Sequence, residues 1–175
     1  MVPKFLVSGV VATVLLAGGV ATCHRQPTTA APAASSTSKP ARPAETPLTV
    51  RALRQQPKLL DSSLIYFAVK HTSVQRWQEV SDFKLGWQVE TERVQGTKRY
   101  SVWPDAHIQE SQKKLEPNWF TLKGQRVTYE SFVVHSDGDY TVVHTTLARV
   151  VQRINQDHAA QRVRHMTNNL TILEK

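Results

Sequence analysis

Few residues in this chain have distinctive chemistry: one cysteine, seven histidines, fourteen carboxylates and four tryptophans. Cys23 ends a run of nineteen uncharged residues that starts at Phe5 and follows Lys4. A positive residue before such a run reads as an export signal. The position of the thiol allows three fates. In the first, Val20, Ala21 and Thr22 act as a lipobox and Cys23 becomes the lipid attachment residue of the processed chain, although Thr22 stands where Gly, Ala or Ser is usual. In the second, Gly19 and Ala21 supply the small side chains of an ordinary cleavage site, and Cys23 stays a free thiol. In the third the segment is not cut, because about 18 apolar residues suffice to span a bilayer. A secreted domain stapled by disulfides would carry its cysteines in even numbers, which favours the first fate.

His135, Asp137 and Asp139 in "HSDGDY" are the residues closest to metal-ligand spacing. A tight Asp137-Gly138 turn puts Asp137 in the loop, His135 opposite Tyr140 and His144 opposite Ser131. The two histidines then share a face but stand about 13 Å apart along the strand, too far for one ion. No metal site is expected. Glu90, Glu92, Glu130, Asp105 and the histidines could serve acid/base chemistry, but no motif forces two of them together. There is no nucleophile elbow, zinc-protease helix, P-loop or dinucleotide glycine pattern. No catalytic residue and no cofactor are assigned.

The aromatic and basic residues point to binding instead. Trp77, Trp87, Trp103 and Trp119, with Tyr100 and Tyr129, could form a stacking platform, although core packing is their default role. The hairpin register below puts Trp103 on the face opposite Val89 and Val102. Trp103 and Tyr100 are the aromatic candidates for ligand contact. The C-terminal segment carries Arg149, Arg153, Arg162 and Arg164, and Arg162 and Arg164 are its candidate binding residues. Its likeness to a helix-turn-helix finds no target outside the cytoplasm, so no nucleic acid is expected.

These residues must be positioned by a domain that begins near Leu48. Residues 24–47 contain five Pro, six Ala and seven Ser or Thr, a composition with little to bury. They read as a tether reaching between about 27 Å as a coil and about 75 Å as a polyproline rod. The expected organisation is a signal peptide over 1–22, Cys23 and a spacer over 23–47, and one domain over 48–175. Four of the 22 basic residues and one of the 14 acids precede Leu48, so the domain carries 18 against 13, a net +5. That field favours anionic wall polymers, lipid headgroups or acidic envelope proteins without selecting one.

Within the domain, Thr46-Pro47 and Pro57 mark helix starts. Leu60, Leu64, Phe67 and Ala68 give the second helix one apolar face, and Ser73 caps a short turn with Val74, Trp77 and Val80. "GWQVETERVQGTKRYSVW" then alternates about a Gln95-Gly96 turn, pairing Val94 with Thr97, Thr91 with Tyr100, Val89 with Val102 and Glu92 with Arg99. Asp105 is expected to cap a helix ending at Pro117. Strands follow over 118–122, 125–135 and 140–144, and Thr146 and Asp157 cap two final helices. The pattern is α+β: an antiparallel sheet of about five strands in hairpins, flanked by N-terminal and C-terminal helices.

The phrases "YSVWPD", "NWF", "VTYESFVVH" and "VRHMTNNL" together resemble a family of small lipoproteins of unknown function from lactobacilli and related Gram-positive bacteria. The resemblance implies export, lipid anchoring at the outer face of the cell membrane and one α+β domain. It implies no activity. The expected function is a non-catalytic binding or interaction module at the cell envelope, tethered to the membrane. The alternative is an envelope hydrolase with a carboxylate/His site.

Overall fold

A computed structural model describes residues 45–175; the segment 1–22, Cys23 and all but the last three residues of the 23–47 spacer lie outside them. The described chain is α+β, with an open six-stranded mixed sheet in the order β5-β4-β3-β2-β1-β6. Its strands are β1 (Trp87–Val94), β2 (Thr97–Pro104), β3 (Asn118–Lys123), β4 (Arg126–Phe132), β5 (Tyr140–Thr146) and β6 (Leu170–Glu174). The helices are α1 (Val50–Gln55), α2 (Pro57–His71), α3 (Leu147–Gln156) and α4 (Ala160–Met166). Among the described residues no helix is long and apolar enough to cross a membrane.

The first helix begins later than Thr46-Pro47 suggests. Thr49 is its cap, its hydroxyl accepting the Ala52 N–H at 3.1 Å. Pro57 does open α2. That helix is buried on nearly all sides, from Asp61 to Val69 without interruption, rather than along one stripe. It packs against α1, α3 and α4 on one side and receives the Tyr129 hydroxyl from the sheet at its Leu64 carbonyl, 3.0 Å away. Ser73 adopts φ 55° and is no cap; the 3-10 turn Gln75–Val80 follows Val74 and buries Trp77 and Val80.

The first hairpin has the expected register at every pair. Gln95 and Gly96 both take positive φ, 48° and 80°, as a type I′ turn requires. Val89, Thr91 and Val102 are buried, whereas Val94 is exposed at the tip. Glu92 and Arg99 pair at 2.6 Å.

The next two turns differ. Lys123 pairs with Arg126, so Gly124-Gln125 is the turn. Phe132 pairs with Tyr140 and Thr128 with His144, a shift of three residues from the pairing a tight Asp137-Gly138 turn would impose. A loop over 133–139 replaces that turn, closed by the Val133 N–H on the Asp139 carbonyl at 2.9 Å. His135 sits in this loop at φ 66°, off the sheet.

Three further expectations are corrected. Residues 105–117 form an extended strap with one 3-10 turn, Glu110–Gln112. A helix there would carry no continuous apolar stripe, and Asp105, at φ 75°, uses its carboxylate to accept the His107 N–H instead. Asp157 ends α3; α4 starts behind Ala159 and stops at Met166. Leu170 then opens β6, which runs parallel to β1 and makes the sheet mixed and six-stranded. Thr146 does cap α3, accepting the Arg149 N–H at 3.2 Å.

Candidate functional site

One face of the sheet is covered by helices and holds Val89, Val102, Phe120 and Tyr129 at its centre. The other face carries Gln88, Glu90, Ser101, Trp103 and Trp119, by strand alternation. The strap lies over this second face. Its clamp is Lys113, whose side chain is 5 % exposed and whose ammonium bonds both Glu90, 8 % exposed, and Glu110. Lys175 reaches Glu90 from the C-terminus at 2.9 Å. Burial pushes the Glu90 carboxyl up, but Lys113, Lys175 and the Trp103 indole together hold it below the ordinary carboxylate value. Desolvation opposes the charge on Lys113, and Glu110 and Glu90 more than compensate, leaving its pKa raised. The ammonium also lies 5.4 Å from the centre of the Trp103 ring, a cation–π contact.

Where the strap leaves β2 and returns to β3, it opens a cleft of about 190 Å³. Trp103 and Pro104 form one side, Ile108, Leu115 and Pro117 the strap side, and Val80 and Arg76 the floor from the 3-10 turn. The cleft is mainly apolar, and its buried amide, Asn118, is already engaged. The Asn118 amide donates to the Arg76 carbonyl at 2.9 Å and accepts the Ser131 hydroxyl at 2.6 Å, and Gln112 accepts the Gln109 N–H.

Arg76 is 8 % exposed. Its Nε and Nη2 lie 3.1–3.3 Å from the Glu79 carboxylate, whereas Nη1 is buried without a hydrogen-bond partner. A second cleft of about 440 Å³, formed by Val74, Ser131, Phe132, Val134 and His135, shares Arg76 and Glu79 as a wall.

A separate constellation stands where α2 meets the α3–α4 corner. His71 Nε2 lies 2.7 Å from Asp157 Oδ2, and the Tyr66 hydroxyl donates to the same oxygen at 3.0 Å. Desolvation and this bond push the Tyr66 phenol up to about 12. The cleft beside it, about 480 Å³, is lined by Tyr66, Asp157, His158, Gln161, Arg162 and His165.

Among the residues singled out from sequence, Trp103 lines the first cleft. Tyr100 points to the helical face and stacks on Phe120 at 4.8 Å. Arg162 lies at the Tyr66–Asp157 cleft, and Arg164 donates to the Pro47 carbonyl at 3.4 Å. Trp103 and the two arginines line no common cleft. Cys23 lies outside the described residues. No group of three His, Cys, Asp or Glu side chains is placed to hold a metal among the described residues. Arg76 and Glu79 carried a sequence signal, the i,i+3 spacing of opposite charges; His71 and Asp157, 86 residues apart, carried none.

No family model, curated protein or solved structure matches the chain.

Proposed function

We propose that the protein is a cell-surface lipoprotein of the Gram-positive small-lipoprotein type, whose domain acts as a non-catalytic binding module at the envelope. Residues 1–22 direct export, Cys23 carries the lipid, and the Pro/Ala/Ser/Thr spacer holds the domain outside the membrane. The observation that carries the binding role is the cleft beside Trp103, an apolar recess walled by an aromatic ring and closed by a strap fastened through buried charges. Pockets that hold ligands are mainly apolar with a few placed polar groups, and Arg76 is such a group here. Envelope proteins are the favoured partners over anionic wall polymers, because the recess is mainly apolar and its two cations, Arg76 and Lys114, stand beside two carboxylates, Glu79 and Glu116, rather than in a row of positive charge. Metabolic labelling with a lipid precursor tests the anchor: wild type incorporates label, and Cys23→Ala loses both label and membrane retention. Equal labelling of the two would overturn the lipoprotein reading.

A second reading is an envelope hydrolase, and one observation favours it. His71 held by Asp157 has the arrangement of a base with its orienting carboxylate. On this reading His71→Ala abolishes turnover of an envelope substrate, while Trp103→Ala leaves it intact.

A further inference from the structure

Arg76 raises a question that its ion pair does not answer. A guanidinium has five N–H donors, and leaving buried donors unpaired costs stability. Glu79 engages only the Nε/Nη2 edge, and Nη1 has no partner. Glu79 itself is half in solvent, its side chain 50 % exposed, so its carboxylate regains water when another carboxylate takes its place on Arg76. Once it has swung away, the Nε/Nη2 edge that it held is free to take another carboxylate in the same bidentate fork.

We infer that Arg76 is the receptor for a free carboxylate, and that the ligand is a peptide C-terminus whose last, apolar side chain fills the Trp103 cleft. This inference rests on the binding-module reading above. Glu79 is then an internal stand-in that holds the guanidinium fork until the ligand carboxylate replaces it. Three observations select a peptide end over an acidic sugar. The apolar walls, Val80, Ile108, Leu115, Pro104 and Pro117 around Trp103, suit a branched or aromatic side chain, and Lys114, Glu79 and Glu116 complete the lining. The buried Asn118 amide is already bonded on both sides, so it gives ring hydroxyls no replacement for the water they would lose. A volume of about 190 Å³ matches the size of a single apolar side chain.

The test is a titration of the full-length chain in detergent micelles, following the Trp103 indole N–H resonance. The probe is an N-acetylated tripeptide ending in leucine, as the free acid and as the C-terminal amide. The acid is expected to bind at least about tenfold more tightly than the amide, as loss of a charge-assisted pair implies. Arg76→Gln is expected to erase that difference, and Glu79→Gln to tighten the acid but not the amide. Because Glu79→Gln leaves Arg76 in place, the test stands even if Arg76→Gln fails to fold. Equal affinity for acid and amide would overturn the carboxylate receptor and leave the binding module standing. So would silence toward both peptides with a response to envelope extract. Silence toward the extract as well would overturn both.

Discussion

The Asn155 side chain grips the backbone of Leu48 from both sides, accepting its N–H at 2.8 Å and donating to its carbonyl at 3.0 Å across 107 residues of sequence. Leu48 is buried, so this grip marks where the spacer becomes part of the fold. It also explains why α1 starts only at Val50: the preceding backbone is held extended by α3.

Asn155→Ala removes both bonds and leaves two backbone groups of a buried residue unpaired. The expected loss is about 1–3 kcal/mol, together with faster amide exchange at Leu48. Exchange at Leu48 unchanged from wild type would contradict the grip.

Lys113→Met leaves Glu90 buried with Lys175 as its remaining cation. Breaking a buried pair costs about 3–5 kcal/mol when no partner remains; with Lys175 still 2.9 Å away, a loss of about 1–3 kcal/mol is expected. Glu90 is held below its ordinary value, so its contribution is present above the unfolded pKa and lost as pH falls through the folded one. The variant should therefore show a flatter acid limb in urea unfolding, and adding Glu90→Gln should recover part of the loss. Additive losses in the double variant would show that the two side chains act independently.

Asp61 is 2 % exposed, its Oδ1 has no hydrogen-bond partner, and desolvation raises its pKa to about 7 despite the opposing field of Lys98. An acid raised on folding binds a proton more tightly in the folded state. Stability should therefore fall as pH rises from the ordinary value of 3.8 to about 7 and stay level above it. Asp61→Asn removes the ionisable group, and a gain of roughly 2–4 kcal/mol at pH 8 with little change at pH 4 is expected. Urea melts at the two pH values decide it; equal effects at both would show that Asp61 does not titrate in this range.

Gly86 takes φ 74° immediately before β1, and a Cβ there would stand 2.0 Å from the Asn169 carbonyl oxygen. Gly86→Ala combines a left-handed backbone with this clash at the turn that leads into β6. A loss of about 2–4 kcal/mol is expected, with the amides of β6 losing protection first. A melting temperature equal to wild type would mean that the two segments part without cost.

The hairpin β1–β2 was legible because alternation and a Gln-Gly turn are local signals, and α3 because Thr146 and an apolar stripe mark it together. The strap was misread because Asp105 is a good cap by type, yet capping says nothing of whether the segment behind it has a face to bury. Asp157 failed for a related reason: its carboxylate is drawn to Tyr66 and His71, contacts made only after α2 docks. β6 is only five residues long, too short for its three apolar residues to set a period, and became a strand through its place beside β1. Trp103 was legible as a surface-side aromatic from strand parity alone. Tyr100, three positions earlier, falls on the other face by the same parity.

The most direct measurement is retention of cell-envelope components on the immobilised full-length chain, comparing wild type with Trp103→Ala and with Lys123→Ala at the exposed β3–β4 turn, each with an unfolding curve. Wild type and Lys123→Ala should retain the same component unchanged, and Trp103→Ala about tenfold less or worse, as removal of an aromatic anchor predicts. Retention by folded Trp103→Ala equal to wild type, or consumption of the component in place of retention, would contradict a binding module centred on the Trp103 cleft.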